Sequence, residues 1–305
     1  MRIGLNGGGS TVDRIVEQAI EAEAAGFTSM WYPSAVAGDP MVAMALAGRA
    51  TGSIELGTAV LATYPCHPLL MARRSVSVAA AMAREGFTLG LGPSHTPVIE
   101  GIYGATYDHP GRHTEEYVRI VTAALRGDDP SFDGDEFHVH SPPIDLPPHG
   151  RVPVLVAALA PRLLRVAGEF ADGTILWMAN AEAVRSHVAP RLRAAADAAG
   201  RPAPRIVAGL PVAVHDDVAE ARAAAAEQYG GYGGLPNYRR ILDLGGVAGP
   251  EDACIVGDED AVTARFEELL AAGVTDVWAA VFTVGSDRRA SRARTRTLLE
   301  RLVAT

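Results

Sequence analysis

Lysine is absent from this chain: its 27 basic residues are all arginine, set against 36 acidic residues and a formal net charge of −9. Without lysine the protein cannot form a Schiff base through a side-chain amine. Outside the arginines of the last predicted helix, basic residues do not cluster as they do on a surface that binds nucleic acid. We therefore expect a small-molecule substrate and no nucleic-acid partner.

Cysteine is also scarce, and long apolar runs are missing. Cys66 and Cys254 are far apart and no CxxC pair occurs, so neither a disulfide framework nor a zinc site is predicted. No run of roughly eighteen apolar residues appears, and no apolar segment follows the initial Met-Arg. We expect a soluble protein of the reducing cytoplasm that does not interact with membranes.

Short apolar runs alternate with alanine-rich amphipathic stretches along all 305 residues. Eight βα units in series are typical of a (β/α)8 TIM barrel, which we predict as one domain over residues 1–305. A doubly wound open sheet is the alternative, but Gly7-Gly-Gly9 lacks the GxGxxG spacing of that fold. The predicted strands cover residues 2–6, 28–32, 54–61, 86–91, 153–157, 174–178, 205–214 and 275–283.

Two segments interrupt this alternation and are predicted as insertions in the barrel. Residues 127–150 are rich in Asp, Pro and Gly, and they indicate an insertion after the fourth helix with a short extra strand. Residues 229–257 contain Gly-Gly-Tyr-Gly-Gly. Long loops of this kind commonly form lids or substrate walls. His138 and His140 could face one metal ion, but without further clustered ligands we predict no metal.

Small residues end the third and fourth predicted strands. The stretch from Ile54 to Pro68 contains Gly-Thr-Ala-Val, and the stretch from Gly86 to His95 ends in Gly-Leu-Gly-Pro-Ser-His. Such residues let a flat ligand lie against the backbone at the edge where α/β proteins bind ligands. A third segment, residues 154–173, predicts a strand and then a helix that begins at Pro161. The free N–H groups of that helix would point at an anion.

These segments resemble those of the bacterial-luciferase-like superfamily, especially its branch that uses the deazaflavin coenzyme F420, and the likeness extends across most of the chain. Leu-Pro-Asn-Tyr-Arg, beginning at Leu235, is similar to that branch as well. The resemblance implies a bulge that supports the cofactor ring, with a cis peptide bond between Ala59 and Val60. It implies the cofactor-binding residues Thr58, Ala59 and Val60 at the bulge, Gly92, Pro93 and Ser94 at the ring and ribityl chain, and Ala158, Leu159, Ala160, Arg162 and Leu163 at the phosphate.

The resemblance implies an F420-dependent oxidoreductase that transfers a hydride between the deazaflavin and a C=C, C=N or C=O bond of a small organic substrate. His95 is the candidate catalytic proton donor, because an imidazole titrates near neutral pH. Tyr64 and Tyr107 are the reserve donors. No histidine follows the second strand, where the sugar-phosphate dehydrogenases of the family place one, so we expect an uncharged substrate.

Two alternatives stay open at this point. An FMN-dependent luciferase-like monooxygenase fits the same motifs, because FMN shares the ring shape and the ribityl phosphate. A non-catalytic barrel that only binds a ligand is disfavoured by the intact segment from Ala157 to Gly173. Family members are commonly dimers, and the helices predicted at residues 41–50 and 69–83 are rich in Ala and Met. We therefore expect a homodimer.

Overall fold

The apolar runs form a closed parallel barrel in the computed structural model, which describes residues 1–34, 36, 38–146 and 150–304. The strands in chain order are β1 (Ile3–Asn6), β2 (Ser29–Tyr32), β3 (Glu55–Thr58), β4 (Leu61–Ala62), β5 (Phe87–Gly92), β6 (Phe132–Asp133), β7 (His138–Val139), β8 (Val154–Val156), β9 (Gly173–Trp177), β10 (Arg205–Val214), β11 (Ile255–Gly257) and β12 (Asp276–Val281). Around the barrel the order is β1, β2, β3, β5, β8, β9, β10 and β12, and the pairing of β12 with β1 closes it. The predicted TIM barrel is confirmed and the open sheet is excluded.

Helices surround the barrel, and most of them begin at a residue suited to a helix start. Six of the helices have Pro as their first residue, a position where its missing N–H is not needed: Pro40, Pro68, Pro110, Pro161, Pro236 and Pro250. No helix of the described residues is long and apolar enough to cross a membrane. The helices are α1 (Val12–Ala24), α2 (Pro40–Ala50), α3 (Pro68–Met82), α4 (Thr96–Ile99), α5 (Pro110–Arg126), α6 (Pro161–Phe170), α7 (Ala181–Ala183), α8 (Ala189–Ala198), α9 (Val218–Tyr229), α10 (Pro236–Leu244), α11 (Pro250–Ala253), α12 (Glu259–Ala271) and α13 (Arg288–Ala304).

The third predicted strand is shorter than expected. The run 54–61 divides into β3 and β4, which are separated by the bond between Ala59 and Val60, and this bond is cis as the resemblance implied. Both parts pair with β5 in parallel. The chain therefore keeps its place in the barrel while it bulges at this point.

The two predicted insertions have regular structure. Residues 127–150 contain an antiparallel hairpin of β6 and β7; Pro147, Pro148 and His149 lie outside the described residues. Residues 229–257 form a 3-10 turn at Gly230–Gly234 followed by α10, α11 and β11. Because β11 pairs with the end of β10, this second insertion stands directly over the carboxyl ends of the strands.

Glycines let two tryptophans fill the barrel interior. Trp31 and Trp278 belong to an interior cluster with Leu155, Ile175 and Val207. A Cβ added at Gly57 would lie 2.2 Å from the Trp31 ring, and one at Gly209 would lie 2.0 Å from the Trp278 ring. A side chain at either glycine would therefore collide with an indole, since interiors are close-packed.

A charged cluster closes the amino-terminal end of the barrel. Arg205 at the start of β10 contacts Glu55 Oε1 at 2.8 Å and Asp276 Oδ1 at 2.9 Å, and Arg2 bonds the same two carboxylates. Glu55 and Asp276 are at most 9% exposed. These contacts join the starts of four strands, β1, β3, β10 and β12, at the end of the barrel opposite the carboxyl ends of the strands.

The outer faces of α2 and α3 expose apolar side chains. Val42, Leu46 and Leu70 are each more than half exposed, with exposed fractions of 56%, 51% and 53%. Exposed apolar residues on neighbouring helices are compatible with an interface between subunits. The expected homodimer stays a prediction.

Candidate functional site

A cavity of about 550 Å³ opens at the carboxyl ends of the barrel strands. This is the edge at which TIM barrels place their active sites, and the volume is in the usual range for ligand pockets. Of the predicted site residues, ten line it: Ala59, Val60, Gly92, Pro93, Ser94, His95, Leu159, Ala160, Arg162 and Leu163.

The bulge after β3 forms one wall of the cavity, and Thr58 supports it from behind. The Thr58 hydroxyl donates to the Gly90 carbonyl at 2.8 Å and accepts from the Gly90 N–H at 2.7 Å. It thereby replaces the strand pairing that the bulge interrupts. A Cβ at Gly90 would lie 1.9 Å from the Thr58 carbonyl oxygen. The two strands approach so closely here that only glycine fits at position 90. The sequence pattern alone did not show this role.

The Gly90→Ala variant tests this support. Because the clash is with backbone, we expect the free energy of unfolding to fall by about 1–3 kcal/mol, as for other overpacked sites. The matched control is Gly52→Ala, where the nearest atom lies 4.0 Å from the added carbon; its effect should stay within about 0.5 kcal/mol. Equal thermal midpoints for the two variants would show that the bulge tolerates the extra methyl group.

The turn after β5 is held by Tyr107. Ser94 has a positive φ of 65°, which is uncommon for a residue with a side chain. The Tyr107 hydroxyl donates to the Ser94 carbonyl at 2.8 Å and fixes this turn. Burial also raises the pKa of Tyr107 to about 12. Because the hydroxyl proton is held in the hydrogen bond to Ser94, Tyr107 is better suited to position the turn than to donate a proton to a ligand.

His95 follows this turn and is half-buried in the cavity wall. Its ring lies 5.6 Å from the Tyr238 ring, centroid to centroid. Within the described residues, neither ring nitrogen makes a hydrogen bond. Burial lowers the pKa of His95 below its ordinary value, so the ring is mostly neutral at pH 7. A neutral imidazole with free nitrogens can bind and exchange a proton with a ligand.

The starts of α5 and α6 meet at one end of the cavity. Neither has a side chain that caps its first turn, so the N–H groups there are free. A Cβ at Gly111 in α5 would lie 3.1 Å from Arg162 Cδ in α6, which shows how closely the two starts approach. Two positive helix ends at one place favour an anion.

The Arg162 side chain lines this end of the cavity but already has an anionic partner. Its Nε and Nη2 contact Glu115 Oε2 at 2.9 and 2.8 Å, and Arg165 bonds the other oxygen. Burial alone would raise the pKa of Glu115, yet the hydrogen bonds from Arg165 and Arg162 lower it. The carboxylate is therefore charged and neutralises part of Arg162, so the backbone N–H groups are the main free donors.

Several residues singled out in the sequence do not line the cavity. Thr58 and Ala158 are at most 1% exposed and lie behind its wall. Tyr64 donates to the Asp108 carbonyl at 2.8 Å instead. Asp172, in the segment 157–173, accepts from the Val154 N–H at 2.8 Å, near the amino-terminal ends of β8 and β9. Asp172 thus aligns two strands at the face away from the cavity.

Sequence reasoning missed the aromatic part of the cavity lining. Of the three Trp and eight Tyr residues in the chain, six line it: Tyr107, Trp177, Tyr229, Tyr232, Tyr238 and Trp278. They come from widely separated segments, and no short motif connects them. The sequence pointed to three of the six without showing that they meet: Tyr107 as a reserve donor, Tyr232 in Gly-Gly-Tyr-Gly-Gly and Tyr238 in Leu-Pro-Asn-Tyr-Arg.

Comparison with known proteins agrees with this fold. A family model described as luciferase-like monooxygenase matches residues 2–305. An F420-dependent glucose-6-phosphate dehydrogenase of Mycolicibacterium fortuitum is 28% identical over 201 residues, which are 61% of this chain and 60% of that protein.

Two solved structures resemble the barrel closely, although at identities that show the fold alone. The coenzyme F420-dependent tetrahydromethanopterin reductase of Methanopyrus kandleri has a TM-score of 0.74 at 20% identity, covering 98% of this chain and 97% of that one. The FMN-bound oxygenating constituent of 3,6-diketocamphane monooxygenase from Pseudomonas putida has a TM-score of 0.72 at 19% identity, covering 100% and 98%. With the family match over nearly its whole length, this chain belongs to the luciferase-like monooxygenase family.

Proposed function

We propose that this protein is an F420-dependent oxidoreductase that transfers a hydride between the deazaflavin and a small organic substrate. The observation that carries the proposal is the meeting of two uncapped helix starts, α5 and α6, at one end of a cavity floored by the bulge after β3. An anionic phosphate and a flat ring suit these two parts of one cavity.

The residues fit such a cofactor on two counts. Ala59, Val60 and Gly92 present small surfaces, and a Cβ at Gly92 would lie 2.9 Å from both Ala157 Cβ and Val60 Cγ2. A larger residue at Gly92 would therefore collide with both neighbours, so bare backbone forms this part of the wall and a planar ring can lie against it. The free N–H groups of α5 and α6 would hold the phosphate. When bound, the cofactor supplies the hydride chemistry.

The remaining chemistry falls to the protein. His95 would hold or accept the proton that accompanies hydride transfer, because it lines the cavity and its ring nitrogens make no hydrogen bond within the described residues. Tyr107 would fix the Ser94 turn and with it the position of His95. The aromatic residues over the cavity would exclude water from the reacting groups.

FMN is the alternative cofactor, which would make the protein a monooxygenase. The similar structures include both F420-dependent and FMN-bound proteins, and F420 is favoured by the sequence likeness to an F420-dependent dehydrogenase.

Fluorescence titration of the purified protein with F420 and with FMN tests the choice of cofactor. We expect F420 to bind at micromolar concentration or tighter, and FMN at least about tenfold more weakly. Preference for FMN would support the monooxygenase, and binding of neither would support a non-catalytic barrel.

The phosphate position is tested by Ala160→Asp. Ala160 precedes α6 with extended backbone and provides no side-chain cap. An aspartate there would cap the helix and stabilise the fold by about 0.5–2 kcal/mol. The same carboxylate would repel a phosphate at the helix start. We expect F420 affinity to fall about tenfold or more while the thermal midpoint rises.

Ala160→Ser is the matched control, because serine caps the helix without adding charge. Its thermal midpoint should rise similarly, and its cofactor affinity should fall much less than that of Ala160→Asp. Wild-type affinity in the aspartate variant would place the phosphate away from α6.

A further inference from the structure

We infer that the half of the cavity opposite the cofactor wall selects an uncharged, planar, conjugated carbonyl compound as substrate; this rests on the proposed function for the placement of the cofactor. The inference begins from the order of strands around the barrel. Residues that fit the cofactor follow β3, β5 and β8, whereas five of the six aromatic residues belong to β9, to β12 and to the segment after β10; the sixth, Tyr107, follows β5. These two groups occupy opposite halves of the closed barrel, so the aromatic half is left for the substrate.

The aromatic rings form a continuous surface. Trp177 stacks on Trp278 with centroids 5.1 Å apart and an interplanar angle of 25°. Tyr232 meets Trp177 edge-on at 5.9 Å and Tyr238 edge-on at 4.9 Å. Tyr238 in turn lies 5.6 Å from His95. A flat conjugated ring gains offset stacking or edge contacts on such a surface, and a saturated ring of the same size does not.

The charge of the lining excludes ionic substrates. Among the described residues, Arg162 is the one permanently charged side chain that lines the cavity, and Glu115 neutralises it at the cofactor end. A carboxylate or phosphate on the substrate would be desolvated in the aromatic half without a counter-ion, which is costly. The polar groups there are neutral: the amides of Asn6, Gln228 and Asn237, together with the hydroxyl and indole N–H groups of the aromatic residues. Amide N–H groups can donate to a carbonyl oxygen, which fits a neutral ketone, enone or quinone.

The reaction balances for this class of compound. Reduction of a conjugated carbonyl adds a hydride to carbon and a proton to oxygen or to the adjacent carbon, for a net gain of two electrons and two hydrogens. The reduced cofactor of the proposed function supplies the hydride, and His95 is placed to relay the proton.

Three probes of similar size separate the effect of shape on binding affinity from the effect of charge. The first, 2-acetylnaphthalene, is flat and neutral. The second, 2-naphthoate, is flat and anionic, and the third, 2-acetyldecahydronaphthalene, is neutral and saturated. Each is titrated into the protein with and without F420, with quenching of tryptophan fluorescence as the readout and isothermal calorimetry for the saturated probe. We expect 2-acetylnaphthalene to bind at least about tenfold more tightly than the other two. Equal affinities, or preference for naphthoate, would overturn the inference.

Tyr232→Leu tests the aromatic surface directly. Tyr232 lies in the 3-10 turn between α9 and α10 and is not part of the buried core clusters of the barrel. We expect a loss of about fivefold to tenfold in 2-acetylnaphthalene affinity and little change for the saturated probe, with F420 affinity retained. Tyr103→Leu is the matched control, since Tyr103 is 53% exposed and does not line the cavity. An unchanged probe preference in Tyr232→Leu would overturn the inference, whereas failure of the wild type to bind F420 would overturn only the proposed function.

Discussion

Replacing Arg205 by methionine is expected to lower the free energy of unfolding by about 3–5 kcal/mol, the loss typical when one partner of a buried ion pair is removed. Arg205 bonds both Glu55 and Asp276. Its loss leaves two buried carboxylates that share only Arg2, whose side chain is 52% exposed. The midpoint of urea unfolding, followed by circular dichroism, measures the effect.

Two controls identify the cause of that loss. Arg14→Met removes an arginine from exposed contacts with Glu17 and Glu21 and should cost less than about 1 kcal/mol. Combining Arg205→Met with Glu55→Gln and Asp276→Asn removes the uncompensated charges and should recover part of the stability. A triple variant no more stable than the single one would attribute the loss to packing of the arginine stem.

The same cluster determines how stability responds to acid. Burial would raise the pKa of Asp276, but Arg205 and the neighbouring donors hold it below the ordinary value. A carboxyl with a lowered folded-state pKa contributes stability above its unfolded pKa of about 3.9, and that contribution is lost as the pH falls through the folded-state pKa. Asp276→Asn should therefore show a weaker decline of the thermal midpoint below about pH 4 than the wild type.

His95→Gln is expected to reduce turnover by about 10²-fold or more, the usual contribution of a general acid or base. Because burial lowers the His95 pKa below its ordinary value of 6.5, the imidazolium donor is present only at acid pH. Substrate reduction by reduced F420 should therefore slow as the pH rises through that lowered pKa, and the reverse oxidation should speed up. In His95→Gln the pH dependence of both the reduction and the reverse oxidation should disappear. The rates are measured from F420 absorbance, with the best substrate found among conjugated carbonyl compounds.

His138→Gln is the matched control, because His138 is an exposed residue of the β6–β7 hairpin and does not line the cavity. It should leave the rate and the pH profile unchanged. If His95→Gln keeps the wild-type pH profile, the proton comes from another group and His95 only shapes the cavity.

The local parts of the fold and one wall of the cavity could be predicted from sequence because their signals lie within a few residues. The apolar periodicity of a strand or helix lies within that one element, and the proline that marks the start of α6 is a single residue. The cis bond between Ala59 and Val60 followed from resemblance to a known family, not from residue chemistry. Strand boundaries differed most at the bulge, where the run 54–61 contains no proline to mark a break but is interrupted at residues 59 and 60.

Contacts between distant segments could not be predicted in this way. Asp172 belongs to a motif that looked like part of a phosphate site, yet strand register places it at the opposite face. Arg205 meets Glu55 across 150 residues of sequence, and nothing in either local pattern shows the other. Trp177 and Trp278 likewise meet only because β9 and β12 both flank β10.

By itself, the sequence determined the number and order of the βα units, the absence of a lysine nucleophile, and the small residues and helix start that line one wall of the cavity. These are properties of composition and of short segments, where backbone preference and apolar periodicity suffice. Closure of the barrel decided the rest: which side chains face the cavity, that Glu115 neutralises Arg162, and that one half of the cavity is aromatic. Such facts depend on strand register and on the angular position of each strand around the barrel, which arise only when all eight strands pair.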